Sequence, residues 1–327
     1  MAKQKYPLAL VTGGAGFIGS QIVESLLENG WRVAVMDNLS TGKRKYVHPA
    51  ANFLKMDIRD AKAPAWVLKN KPDIILHFAA QIDVQESIKD PVVDAETNVQ
   101  ATLRLMDAGA KVKVERFIFA GSGGVLCDET VPLPAKEYNV CEPLTPHGIA
   151  KRAIEYYGDF YQREYALPFV SLRFSHVYGP RQNAKTDSGV VAIFTSAMLA
   201  NQPVTIYGHG RQTRDFLYVG DAVSAVMAVL RKKRLVGIYH VGTGKQTTIN
   251  DIYKRLAKLI GYKKKSKMGA EDIHAPLKSA LDSSLLQAVT DWQPKISLAD
   301  GLKNTVLDFQ TEQNGKKVCL YPFRHLV

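Results

Sequence analysis

The sequence predicts an α/β protein: a doubly wound parallel sheet followed by a smaller α/β lobe. Short apolar runs rich in Val, Ile and Phe alternate with longer helical patterns through the first half, and this alternation weakens after Ser175. A glycine-rich turn also follows the first apolar run directly and opens the first helical pattern.

The strand candidates are 8–13, 32–37, 52–57, 73–79, 115–121 and 169–175. Between the first two, Ile18, Ile22, Val23 and Leu26 share one helical face and Gly30 follows as a C-terminal stop, which completes a βαβ unit. Beyond residue 175, the stretches 179–187 and 207–213 carry Gly and Pro and read as loops of the kind that hold binding groups. The expected division is a first domain over 1–175, rejoined by segments within 214–242, and a lobe over 176–327 interdigitated with it. Ile249, Ile252, Tyr253, Leu256, Leu259 and Ile260 mark one further amphipathic helix, with Thr248 as its N-cap.

The chain has 327 residues, 46% hydrophobic and 23% charged, which excludes a disordered or fibrous protein. Its 43 Lys and Arg outnumber 31 Asp and Glu, giving a net charge of +12. The basic runs at 231–234 and 263–267 read as solvated surface, and a positive field suits an anionic small ligand. No module or aromatic-interleaved basic stripe points to nucleic acid. MAKQKYPLALVTG passes straight into the glycine turn without a signal-peptide pattern, and no stretch is apolar enough to span a membrane, so a reducing cytoplasm is expected. Cys127, Cys141 and Cys319 are too few and scattered for a disulfide framework or a CxxC site, and no metal is expected.

Residues 12–19, Thr-Gly-Gly-Ala-Gly-Phe-Ile-Gly, contain GxGxxG between a strand and a helix. Missing side chains at Gly13, Gly16 and Gly19 let a pyrophosphate approach the backbone, and the helix N-terminus supplies N–H donors there, with Phe17 and Ile18 in the same turn. This is the signature of a dinucleotide-binding Rossmann sheet. Asp37 ends the second strand, 18 residues after Gly19, where its carboxylate accepts hydrogen bonds from ribose hydroxyls and repels a 2′-phosphate. NAD is therefore favoured over NADP, with Lys43 and Arg44 read as solvated. Asp57 and Ile58, after the third strand, are placed at the adenine pocket.

With TGGAGFIGS at 12–20, DNLSTGKR at 37–44, HFAAQIDV at 77–84, Asn98, YGPRQ at 178–182 and QTRDFLYVGDA at 212–222, the chain resembles the extended short-chain dehydrogenase/reductases that act on nucleotide sugars. It is most similar to their UDP-glucose 4-epimerase branch. The resemblance implies that Asn38, Ser40, Thr41, Gly42, Phe78, Ala79, Ala80, Gln81 and Asn98 also contact NAD. It further implies a UDP-sugar in the second lobe, touched by Ser122, His176, Val190, Tyr207, Arg214, Lys278 and Ser279.

Members of that family pair a Ser or Thr after the fifth strand with Tyr-x-x-x-Lys on the next helix. Ser122 and Lys151 match, and position 147 is His where the family has Tyr. Residues four apart share a helix face, so His147 and Lys151 project together. The resemblance implies removal of the 4″-hydroxyl proton, hydride transfer to NAD, rotation of a transient 4-keto sugar and return of the hydride to its other face. A nearby Lys keeps an imidazole neutral, the state a base requires, but His is shorter than Tyr. His147 is left with three readings: a weak or water-assisted base, an inactivating change, or a changed chemistry. Gly123 and Gly124 stand where the family's dehydratases carry acids, so epimerisation is preferred over elimination. His176 replaces an Asn, and His209 an acidic residue. Resemblance also implies a homodimer that pairs helices over 92–108 and 149–164.

Overall fold

The computed structural model describes residues 6–124, 126, 129–185, 189–270 and 276–313. The first half reads β1 (Leu8–Thr12), α1 (Phe17–Glu28), β2 (Arg32–Asp37), β3 (Asn52–Lys55), α2 (Lys62–Asn70), β4 (Ile74–His77), α3 (Val84–Lys89), α4 (Pro91–Ala95), α5 (Ala101–Val112), β5 (Arg116–Ser122), α6 (Pro146–Tyr165) and β6 (Phe169–Phe174). Then come β7 (His176–Tyr178), α7 (Val190–Leu199), β8 (Thr205–Tyr207), β9 (Thr213–Arg214), β10 (Phe216–Tyr218), α8 (Val219–Arg231) and β11 (Gly237–Val241). The last described elements are β12 (Thr247–Thr248), α9 (Ile249–Ile260), β13 (Lys267–Gly269), α10 (Ser284–Thr290) and α11 (Leu298–Gln313).

Seven parallel strands form the central sheet in the order β11-β6-β5-β4-β1-β2-β3, so the predicted α/β sheet is present. Its strands are apolar on both faces because helices cover both, as Leu10, Val11, Ile75, Leu76, Phe117 and Ile118 show by being fully buried. The order in which successive strands are added reverses between β1 and β4, and the crevice at such a switch is where ligands of these folds bind. β11 joins the edge of the sheet beside β6, and α8 packs on α1. The pairs β10-β7, β12-β9 and β13-β8 form small sheets outside it.

Two local differences from the sequence reading matter. The helix expected over 92–108 is divided: a π-turn at Glu96–Gln100 separates α4 from α5 and places Asn98 within it. Such wide turns concentrate at functional sites. Cys141 is disulfide-bonded, a pairing the cysteine count did not suggest. Thr248 caps α9 as its position implied, accepting from the Asp251 N–H at 3.0 Å. Among the described residues, no helix is long and apolar enough to cross a membrane.

Candidate active site

The glycine turn is shaped by close packing. Gly13 has φ +70°, and a Cβ there would stand 2.6 Å from the Ala79 nitrogen; one on Gly19 would stand 2.2 Å from the Gly13 carbonyl oxygen. The loop therefore lies flat against the end of β4 and the start of α1. Gly16 caps α1 without a side-chain acceptor, and the first turn carries no acid, so its N–H groups and dipole remain available to an anion.

Asp37 locks this loop in place. One carboxylate oxygen accepts from the Ala15 N–H at 2.9 Å, and the other from the Leu39 N–H at 2.8 Å. Burial pushes its pKa up, and the two backbone bonds partly oppose that. Each oxygen retains a lone pair for a ribose hydroxyl. The neighbouring cations are committed elsewhere: Lys43 pairs with Glu312 at 3.2 Å, and the Arg44 guanidinium lies 4.8 Å over the Phe53 ring.

A cavity of about 640 Å³ opens along this crevice. It is lined by Gly13, Gly16, Phe17, Ile18, Gly19, Asp37, Asn38, Ser40, Thr41, Asp57, Ile58, Phe78, Ala79, Ala80 and Gln81, and also by Ser122, His147 and Lys151. Gly42 and Asn98 are not on its wall. Gly42 packs against Asp37, with room for no side chain, since a Cβ would lie 2.9 Å from a carboxylate oxygen. Asn98 is buried behind the wall and holds both backbone groups of Gln81, accepting its N–H and donating to its carbonyl, each at 2.9 Å.

A buried polar chain supports this arrangement. Ala79 N–H donates to Thr12 Oγ1 at 3.2 Å, and His77 bridges Thr12 (2.8 Å) and Thr102 (2.9 Å), whose hydroxyl donates to the Asn98 carbonyl at 2.8 Å. Thr102 is thus the acceptor of the His77 Nε2–H, and Nδ1 accepts from Thr12.

Ser122 ends β5, while His147 and Lys151 stand one turn apart near the start of α6. Thr145 caps that helix and Pro146 occupies its first position, which fixes where the turn begins. Lys151 Nζ donates to the Ala120 carbonyl at 2.9 Å and lies 4.7 Å over the Phe119 ring; burial pushes its pKa down to about 8. Burial, then the Lys151 charge, pushes His147 down to about 3, so its ring is neutral.

The ring's tautomer follows from counting hydrogens. His147 Nδ1 lies 3.5 Å from Asn98 Nδ2, but both Asn98 amide hydrogens are already given, to the Gln81 carbonyl at 2.9 Å and to Asp94 at 2.9 Å. Asp94 Oδ1 lies 4.0 Å from Nδ1. Nδ1 therefore faces an amide with no hydrogen left to give and the Asp94 carboxylate, an arrangement that favours the hydrogen on Nδ1 and the lone pair on Nε2.

The expected sugar residues other than Ser122 lie outside this cavity's lining. His176 starts β7, paired with Phe216, and its buried Nδ1 has no partner. Arg214 is buried on β9 and donates to the Thr213 carbonyl at 2.8 Å; Thr213 bridges to Lys278. Ser279 is fully buried, and its hydroxyl has no partner. Tyr207 and His209 are exposed, and Val190 opens α7. The glycine pair has a steric cause: a Cβ on Gly123 would meet Leu281 at 2.3 Å, and one on Gly124 would meet the His176 ring at 2.7 Å.

Sequence reasoning missed Met36, Met56, Arg59, Ser175, Val177, Gln182 and Lys185 on the cavity wall. Gln182 was within reach, as the last residue of YGPRQ. That loop docks on α1 through Arg181, whose guanidinium holds both Glu24 oxygens at 2.8 and 2.9 Å and the Ser20 hydroxyl at 3.0 Å.

Residues 9–242 match the family model described as the NAD dependent epimerase/dehydratase family. The UDP-glucose 4-epimerase of Mycolicibacterium smegmatis is 35% identical over 308 residues, spanning 93% of this chain and 98% of that one. Among solved structures, the UDP-glucose 4-epimerase of Thermotoga maritima with UDP-glucose is 39% identical with a TM-score of 0.91, over 94% of this chain and 99% of that one. The Thermus thermophilus UDP-glucose 4-epimerase in complex with NAD is 38% identical with a TM-score of 0.87, over 93% and 99%. A likeness of this reach, on a crevice built to receive a dinucleotide, settles the family: the chain belongs to the NAD dependent epimerase/dehydratases and takes NAD as its cofactor.

Proposed function

We propose that this protein is an isomerase that inverts C4 of a UDP-hexose or UDP-N-acetylhexosamine. The observation that carries the reading is that Ser122, His147 and Lys151 all line the dinucleotide cavity, with a glycine pair after Ser122 where a Cβ would press on Leu281 and the His176 ring. The uncapped N-terminus of α1 and the cradle at Gly13 and Gly19 fit the pyrophosphate, and Asp37 fits the ribose. NAD, when bound, supplies reversible oxidation of the sugar carbon.

The residues of the chain handle the proton. His147, with Nδ1 toward Asn98 and Asp94, offers the Nε2 lone pair to the 4″-hydroxyl, and Ser122 holds that oxygen in line. Lys151 is fixed on the Ala120 carbonyl, beside both. Arg214 and Lys278 supply positive charge for the diphosphate, with His176, Val190, Tyr207 and Ser279 around the nucleotide and sugar. We assign residues 1–175, with parts of 214–242, to NAD and 176–327 to the sugar nucleotide; β11 in the sheet supports that division.

A second reading has one specific observation in its favour. An imidazole held down to about 3 is a weak proton acceptor, which suits a protein that binds NAD and UDP-sugar with little turnover. Incubation with UDP-galactose or UDP-N-acetylgalactosamine, read by chromatography, separates the two: formation of the gluco epimer supports the enzyme, and its absence with both ligands bound supports the second reading.

We further propose a homodimer through α4 and α6, which expose Val92, Val93, Ile149, Tyr156, Tyr157 and Phe160. Light scattering that shows a monomer at micromolar concentration refutes it. For location we propose the cytoplasm, where NAD and nucleotide sugars are available; the Cys141 disulfide is the observation on the other side.

A further inference from the structure

Three nitrogen atoms converge on one oxygen of a buried carboxylate. Asp94 is 1% exposed, a rare setting for an acid unless it is paired. Its Oδ1 accepts from Asn98 Nδ2 at 2.9 Å and from Gln81 Nε2 at 3.1 Å, and the same oxygen lies 4.0 Å from His147 Nδ1. Burial pushes the Asp94 pKa up, while the Asn98 bond, the Lys151 charge and the Gln81 bond favour the carboxylate.

The backbone fixes this meeting. Asp90 caps α4 by accepting the Val93 N–H at 3.0 Å, and Pro91 begins the helix. α4 packs against α6, and the His147 N–H donates to the buried Ser87 Oγ at 3.3 Å. Asp94 is not on the cavity wall, so anything it does to a ligand passes through His147 or Lys151.

Among the described residues, Asp94 and Glu155 are the acids that act on the Lys151 charge. Glu155 is committed elsewhere: Arg173 donates to its two oxygens at 2.7 and 2.6 Å, Ser171 at 3.0 Å and Arg152 at 3.1 Å. His77, the other titratable group close to Lys151, is buried and neutral. Asp94 is therefore the acid whose charge is left to the His147–Lys151 pair.

That pair needs one. When Nε2 takes the proton of a sugar hydroxyl, an O–H bond breaks, an N–H bond forms and the ring becomes a cation one turn from the Lys151 ammonium. Two buried like charges repel, and a carboxylate about 4 Å away offsets the second.

We propose that Asp94 is the positioning residue of the His147 base: it faces the Nδ1–H side of the ring and supplies the counter-charge when Nε2 is protonated. The proposal rests on the reading that His147 accepts a sugar proton. A tyrosine at the same place becomes an anion and needs no such counter-charge.

Three measurements on the NAD-loaded full chain test it. Nitrogen-15 spectra of the histidine rings, with the His147 signals identified by their loss in His147→Gln, should show the hydrogen on Nδ1 at pH 7. Hydrogen on Nε2 overturns the proposal in wild type, so misfolding of a variant does not rescue it. Carbon-13 titration of the Lys151 side chain should give a midpoint lower by at least about 0.5 pH in Asp94→Asn than in wild type, since losing a negative neighbour disfavours the ammonium. An unmoved midpoint overturns the proposal. Asp94→Asn should lower kcat by about 10-fold or more with KM unchanged, and the same change in His147→Tyr should leave kcat within about 2-fold. An equal loss in both backgrounds gives Asp94 a merely structural role and overturns the proposal. Absence of turnover in every variant removes the proposed reaction instead, and the two spectra then decide whether Asp94 serves the pair.

Discussion

Lys151 lies one helical turn beyond His147, and its charge adds to burial in pushing the imidazole pKa down to about 3. A cation beside a phenol favours its ionised, basic form, whereas a cation beside an imidazole opposes the proton uptake that makes it a base. The lysine would therefore assist a tyrosine at position 147, and it resists the histidine that stands there.

The reversal predicts an alkaline pH–rate profile. Loss of the Lys151 charge near pH 8 should strengthen His147 as an acceptor, so kcat should rise as pH increases through about 8. In His147→Tyr the lysine cation favours the phenolate, and the rising limb should move to lower pH. A profile flat from pH 6 to 9 in wild type would discard His147 as the base.

His147→Tyr should raise kcat by at least about 100-fold at neutral pH, since a phenol reaches further and is assisted by the Lys151 charge. KM for the UDP-sugar should change little, because the variant leaves Arg214 and Lys278, the cations placed at the diphosphate, untouched. An unchanged kcat points to an altered chemistry or a wider loss of the site.

NAD should bind at least about 10-fold more tightly than NADP, because a 2′-phosphate would meet the buried Asp37 carboxylate while Lys43 and Arg44 are engaged elsewhere. Asp37→Ala should narrow that preference. It should also lower thermal stability, since the Ala15 and Leu39 N–H groups lose their acceptor. Titration with both cofactors checks the first part and a melting curve the second.

Four buried histidines predict acid sensitivity. Burial pushes His77, His147 and His176 down to about 3 and His240 to about 4. Below about pH 6.5 the unfolded chain binds protons there that the folded chain does not, so stability falls as pH drops, down to about 4 for His240 and about 3 for the others. Urea unfolding at pH 7, 5 and 4 should show this, and His147→Gln should reduce the slope by about one proton. An unaltered slope would mean that His147 is protonated in the folded state.

Ser279→Tyr should destabilise the protein by about 1–3 kcal/mol, the usual cost of overpacking, because Ser279 is fully buried. Denaturant midpoints measure it. An unchanged midpoint, with a shifted ratio of UDP-glucose to UDP-N-acetylglucosamine affinity, would mean that the side chain at 279 opens onto the sugar instead.

The sheet and the cofactor crevice were legible because their signals are local. A strand's apolar run, a turn's glycines and a helix's four-residue spacing are each contained in a short window, so the six strand candidates and the turn at 12–19 fall where the fold has them, to within two residues. The pairing of Ser122, His147 and Lys151 was legible for the same reason plus family resemblance. The residues expected at the sugar were harder to place. Their positions depend on bridges such as Thr213 to Lys278 and Ala135 to Leu281, which join segments distant in sequence.

By itself, then, the sequence determined the α/β class, the dinucleotide turn, the acid at Asp37 and the departure at position 147, all set by residue type at fixed spacing. Only the tertiary structure decided that Asn98 holds Gln81 rather than lining the cavity, that Ser279 is enclosed, and that Ser175 and Gln182 both belong to the cavity lining. It also decided the His147 tautomer, because that depends on where both Asn98 hydrogens go. The reason is common to all of these: burial and hydrogen-bond saturation are properties of the whole set of neighbours, and those neighbours come from strands and loops that only folding brings together.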